Sequence, residues 1–172
     1  MPQRMDLFDL ETLQLRPGEG RRLESDVQLD PLMLGGERYA VPGGGVASRL
    51  DVSRTVSGYA LRLQFDAPIE GACMRCMGRA TQTISVEARE VDQPGESDEL
   101  HSPYLDGGVL DIRAWARDAL ALAMPAQVAC SEECRGLCPE CGINLNEVDP
   151  EQHRHEAAGD PRWAKLRDLK LG

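Results

Sequence analysis

With 172 residues, 4% aromatic side chains and 28 Gly plus Pro, the chain fits one domain, or a core with a small appendage, and that core is thin for its length. No stretch approaches the roughly 18 apolar residues of a membrane span, and the N-terminus lacks the apolar run of a secretory signal, so a reducing, cytoplasmic setting is expected. The formal net charge of −10 is uneven: residues 1–89 carry −1, residues 90–160 carry −12 and residues 161–172 carry +3. An overall basic footprint for nucleic acid is thereby excluded, and any RNA contact must be a local patch. Seventeen of the 19 basic residues are Arg, which suits bidentate phosphate contacts, although composition bias explains this more simply.

The first 45 residues give little pattern beyond an apolar opening (Leu7, Leu10, Leu13, Leu15) and a closing loop at Pro42-Gly43-Gly44-Gly45. From there the period is two. Val46, Leu50 and Val52 alternate with polar residues, and after Ser57-Gly58 the residues Tyr59, Leu61, Leu63, Phe65, Ala67 and Ile69 share one face. Arg62, Gln64 and Asp66 point the other way. Pro68 cannot donate to a ladder, so the strand bends there or lies at an edge. Ile84, Val86 and Ala88 repeat the alternation, which makes Cys73–Gly78 the tip between two antiparallel strands. Residues 90–106 carry six acids, two prolines and no Lys or Arg, the signature of an acidic loop. From Asp111, a candidate cap, the period is helical: Ile112, Trp115, Ala116, Ala119, Leu122 and Ala123 form a stripe that Pro125 stops. The predicted fold is α+β: an antiparallel sheet over 46–91, a helix at about 110–124 and a metal-bound C-terminal segment. The expected division is 1–91 for the N-terminal segment and sheet with the first Cys pair, 92–106 for the acidic loop, and 107–172 for the helix, Cys-rich segment and basic tail.

The six cysteines, Cys73, Cys76, Cys130, Cys134, Cys138 and Cys141, carry the chemistry. Cys138-Pro139-Glu140-Cys141-Gly142 reads as a metal knuckle in which Gly142 permits the tight turn, and Cys73-Met74-Arg75-Cys76 has the same gap. In a reducing setting such pairs hold zinc more often than they oxidise. One structural zinc is expected, with Cys138 and Cys141 as ligands. Cys130 and Cys134 complete it locally, or Cys73 and Cys76 complete it across the molecule. Closing the longer loop costs only about 1–2 kcal/mol more, so entropy does not choose. Three other readings compete. Cys134-x3-Cys138-x2-Cys141 has the bare spacing of a radical-SAM cluster, but Glu140 stands where an aromatic is usual. A redox dithiol should open a helix after a parallel strand, not sit between antiparallel strands. A catalytic zinc would need an open position, with His153, His155 and Glu156 as recruits. Two residues apart in a strand, however, the imidazoles face opposite ways, and solvated loop is their default reading. There is no P-loop, H-E-x-x-H or G-x-S-x-G.

Taken in order, the Cys-x-Arg-Cys hairpin, the acidic insert, the helix ending at Pro125, the run CSEECRGLCPECGINLN (Cys130 to Asn146) and Asp160-Pro161-Arg162-Trp163-Ala164-x-Leu166 resemble a known family. This is the YceD-type family of bacterial and plastid large ribosomal RNA accumulation proteins. The resemblance covers roughly residues 46–170, with Met77-Gly78 where Leu-Glu often follows the first pair. It implies a non-catalytic factor for large-subunit rRNA accumulation during ribosome assembly, acting on an rRNA precursor or a ribosomal protein. A metal-dependent or redox-active enzyme using the Cys pairs is the alternative. Direct RNA contact would fall to Arg75, Arg79, Arg162, Lys165, Arg167 and Lys170. The last four lie in the basic tail, where Trp163 and Leu166 offer an apolar face that can equally dock on the core.

Overall fold

The computed structural model describes residues 3–4, 6–93 and 100–155. Its frame is a five-stranded sheet in the order β1–β3–β6–β7–β8, built from β1 (Gln3–Arg4), β3 (Gly20–Gln28), β6 (Gly45–Arg54), β7 (Tyr59–Ala72) and β8 (Arg79–Asp92). All pairings are antiparallel except β1 with β3. Two small sheets accompany it: β2 (Leu7–Asp9), β10 (Val109–Asp111) and β9 (Leu105–Asp106) in one, β4 (Leu32–Leu34) with β5 (Glu37–Tyr39) in the other. One α-helix, α1 (Ile112–Ala123), packs against β8 and β3. The α+β class and the antiparallel core stand as expected from the alternation.

Period-two patterning explains the sheet directly. Tyr59, Leu61, Leu63, Phe65, Ala67 and Ile69 are all buried, and the register sets Leu63 between Leu50 and Ala88, and Phe65 between Ser48 and Val86. A polar pair interrupts this face. The Ser25 and Ser48 hydroxyls lie 3.0 Å apart, and Ser48 Oγ also donates to the Ser25 carbonyl at 3.0 Å, so both buried hydroxyls are satisfied. The opposite face carries mixed charge, with Arg22 on Asp51 at 2.6 Å and Arg62 on Glu87 at 2.7 Å. Pro68 lies beyond the last β6–β7 pair, Ser48 with Phe65, and before the isolated Ala40–Glu70 bridge. One edge of β7 is therefore free of a ladder at the residue that cannot donate to one.

The helix is capped as its sequence suggests: Asp111 Oδ1 accepts from the Ala114 N–H at 2.8 Å. Trp115 is buried in the core. The stripe needs two corrections. Leu120 is buried, completing the i, i+3, i+4, i+7, i+8 face of 112, 115, 116, 119 and 120, whereas Leu122 is 89% exposed beyond the edge of that face and Ala123, on it but in the last turn, is exposed too.

Two further expectations change. The sheet is larger than residues 46–91, since β3 pairs with β6 from Gly20–Ser53 to Gln28–Gly45 and the small sheets draw in much of the first 45 residues. The acidic loop also begins later than residue 90. β8 runs to Asp92, which is buried and accepts from the Ser102 N–H at 3.1 Å and faces His101 Nδ1 at 2.7 Å. Gly58 is required there, for a Cβ on it would meet the Asp92 carbonyl oxygen at 1.8 Å. Residues 94–99 of that loop lie outside the described residues.

Candidate metal centre

The β7–β8 hairpin runs through fourteen consecutive pairs, from Tyr59–Asp92 to Ala72–Arg79, and delivers Cys73 and Cys76 at its tip. The turn closes through Cys73 N–H to Gly78 O at 2.7 Å and Met77 N–H to Cys73 O at 2.9 Å, with Met77 at φ 60°. Its base is braced from the N-terminal region. The buried Tyr39 donates its hydroxyl to the Ala72 carbonyl at 2.9 Å, and its ring lies against Gly71, where a Cβ would meet Cδ1 at 2.3 Å.

After Met124 caps the helix, the chain returns to this tip. Met74 N–H donates to Val128 O at 2.8 Å, and Leu137 N–H to Arg75 O at 3.0 Å. Arg75 spans the gap: its Nη1 reaches the carbonyls of Glu132 and Cys134 at 3.3 and 3.2 Å, and its Nε and Nη2 reach Gln127 Oε1. Gly136, at φ 77°, lies so close that a Cβ would sit 3.0 Å from Arg75 O. This docking brings four sulfurs together. Cys73, Cys76, Cys130 and Cys134 form one group with all Sγ atoms within 4.8 Å of one another.

A second group follows within the same segment. The knuckle forms as its glycine suggests, with Gly142 at φ 74°, Gly142 N–H to Cys138 O at 2.8 Å and Cys138 N–H to Ile143 O at 2.8 Å. Cys138 and Cys141 are joined by neither of the other pairs. Their partners are His153 and His155, again within 4.8 Å. This grouping differs from both expected arrangements of a single site. The six thiols are split four and two, and Cys134 is separated from Cys138 and Cys141, so the radical-SAM spacing is not used as a unit. The histidines lie in a loop, as expected, but their rings converge on Cys138 and Cys141. They lie outside any strand, after a turn in which the Gln152 and His153 N–H groups both reach Asp149 O, so the alternation that would splay two imidazoles does not apply.

The distances fit a tetrahedral ion. With Zn–S of about 2.3 Å and Zn–N of about 2.0–2.1 Å, tetrahedral edges are about 3.8 Å for S···S, about 3.6 Å for S···N and about 3.3 Å for N···N. Observed are 3.8 Å for Cys73–Cys134 and 3.7 Å for Cys76–Cys130. In the second group they are 3.2 Å for Cys138–His155, 3.7 Å for Cys141–His153 and 3.1 Å between the two Nε2 atoms. All six thiols are free of disulfides.

Electrostatics point the same way. Burial opposes ionisation of Cys73, yet N–H groups of Cys76, Arg75 and Cys130 outweigh it and hold its thiol down at about 6. The Asn146 amide, 3.4 Å from Cys134 Sγ, holds that thiol below its usual range. Gly78 N–H favours the Cys76 thiolate, but burial and the three neighbouring sulfurs outweigh it and push Cys76 up to about 12. The His153 ring, with the N–H groups of Cys141 and Glu140, lowers Cys138 to about 6. Four converging sulfurs thus share protons unequally when no cation compensates them, and a divalent cation would allow all four to ionise.

Of the residues expected to contact RNA, Arg75 is engaged within the metal-proximal loop, and Arg79 pairs with Glu70 at 2.6 Å. Arg162, Lys165, Arg167 and Lys170, with Trp163 and Leu166, lie outside the described residues. Sequence reasoning named His153 and His155 only as recruits to a catalytic zinc, and missed Asn146 as a donor to Cys134 and Glu140, whose carboxylate lies 3.2 Å from His155 Nδ1. The asparagine was at least marked, as the end of the GINLN run.

Comparison with known proteins places the chain. The family described as large ribosomal RNA subunit accumulation protein YceD matches residues 61–170. The chain belongs to the YceD family. It is 31% identical over 170 residues to uncharacterized proteins of Mycobacterium tuberculosis and Mycobacterium bovis, covering 94% of this chain and 79% of theirs. A maize protein named large ribosomal RNA subunit accumulation protein YCED homolog 1, chloroplastic, is 41% identical over 49 residues, 28% of this chain and 16% of its own. No solved structure matches the chain.

Proposed function

We propose that this YceD-family chain is a non-catalytic factor for large-subunit rRNA accumulation, acting in the cytoplasm on an assembling particle. A zinc held by Cys73, Cys76, Cys130 and Cys134 would fix its shape. The family match over residues 61–170 carries the reading, and the printed name of the maize relative agrees with it. The site chemistry supports a structural role for metal. Each group offers four protein ligands, enough to fill a tetrahedron and leave no open position for substrate or water, as structural zinc sites do. The residues proposed for direct contact are those of the basic tail, Arg162, Lys165, Arg167 and Lys170, because Arg75 and Arg79 are already engaged.

The test is twofold. Depleting the protein should lower mature large-subunit rRNA relative to small-subunit rRNA, and an unchanged ratio would sink the proposal. The tagged protein should co-sediment with large-subunit precursors. Replacing the four tail cations with Gln should weaken that association and flatten its salt dependence, since each neutralised phosphate releases counterions. Unchanged binding would move the contact to a ribosomal protein.

A further inference from the structure

We propose that Cys138, Cys141, His153 and His155 form a second zinc site, separate from the four-cysteine site, with Glu140 orienting His155. Three observations carry it. Two sulfurs and two Nε2 nitrogens converge with every measured separation near a tetrahedral edge. The donor set is S2N2, which in tetrahedral geometry suits zinc. The other face of His155 is already committed: Nδ1 lies 3.2 Å from Glu140 Oε2, the carboxylate–histidine arrangement that fixes the tautomer and aims Nε2 at an ion. Cys141 and His155 are exposed, so burial of apolar surface does not drive them together, and two imidazole nitrogens 3.1 Å apart are brought so close most simply by a shared cation.

The site is local, with ligands at C-x2-C-x11-H-x-H. It closes one loop and pins the residues that lead into the C-terminal tail. Metal there orders residues 138–155 and leaves the sheet unchanged.

The test counts zinc per chain in full-length protein purified without chelator. Wild type should carry two. His153→Ala with His155→Ala should carry one, with an unchanged circular dichroism spectrum. One zinc in the wild type that survives the double substitution overturns the second site. One zinc that vanishes with it leaves the second site standing and removes the four-cysteine assignment. Cobalt loading of the chelator-stripped protein gives an independent signature: the double variant should keep only the four-thiolate spectrum, and identical spectra for both proteins would overturn the proposal. Glu140→Gln, a mild surface change, should weaken zinc at this site about 10-fold in competition with a chromophoric chelator, and unchanged affinity would refute the orienting role.

Discussion

The two Cys-containing groups share a segment of chain and differ in what they connect. Cys73 and Cys134, and Cys76 and Cys130, meet across 61 and 54 residues, joining the longest hairpin of the sheet to the loop after the helix. Three of these four residues are buried, whereas of Cys138, Cys141, His153 and His155 only Cys138 is. The first group is therefore part of the core, and the second is a clasp on its surface. The lesson is that the consequences of a four-ligand site are set by what the bound loop holds. A cation in the first group would stabilise tertiary structure, while one in the second would order only its own loop.

The hardest test of that contrast is Cys73→Ser. It should abolish zinc in the four-cysteine group and destabilise the protein by several kcal/mol, given that a structural zinc contributes on the order of 10–16 kcal/mol in finger peptides. Chemical denaturation paired with metal analysis reads both, and a change under about 1 kcal/mol would break the distinction. Arg75→Ala should come next, at about 2 kcal/mol, because its guanidinium bonds to the Glu132 and Cys134 carbonyls and charged hydrogen bonds contribute about 1.5–3 kcal/mol. A normal melting curve would show that the loop docks without it. Smallest is Asn146→Ala. Losing the amide at Cys134 Sγ should weaken zinc there about 10-fold with little effect on folding, and cobalt titration would show whether only the four-thiolate signal shifts. Chelator competition sharpens the comparison further. The exposed group should release its metal in a fast phase and the buried group in a slow one, and a single phase would mean that the two behave as one site.

Much of the fold was legible because it rests on local pattern. Alternation from Tyr59 to Ile69 announced a half-buried strand, Asp111 and Pro125 bracketed the helix, and the Cys73–Gly78 tip followed from the strands on either side. The first 45 residues were not legible. Their strands are short or charged, as in β3 with Arg21, Arg22, Glu24 and Asp26, and they become strands by pairing with β6. Leu122 shows the finer failure: a stripe read from hydrophobicity alone accepts any nearby leucine, and only packing reveals that Leu120 is the one turned inward.

By itself, the sequence determined residue types, their local spacing and hence the knuckles, the hairpin tip, the helix and the likeness to the YceD family. It could not determine which thiols meet. Loop-closure entropy varies only as about (3/2)RT ln n, so candidate pairings about 200 Å of extended chain apart differ by little. What decides is the directed contact of Met74 and Arg75 with Val128 and Leu137, which seats the 130–134 loop on the hairpin tip and turns Cys138 and Cys141 away from it. The histidines were hidden for the same reason. Whether two side chains at i and i+2 diverge or converge depends on the backbone between them, and that backbone is set by the turn at Asp149, which only the tertiary structure fixes.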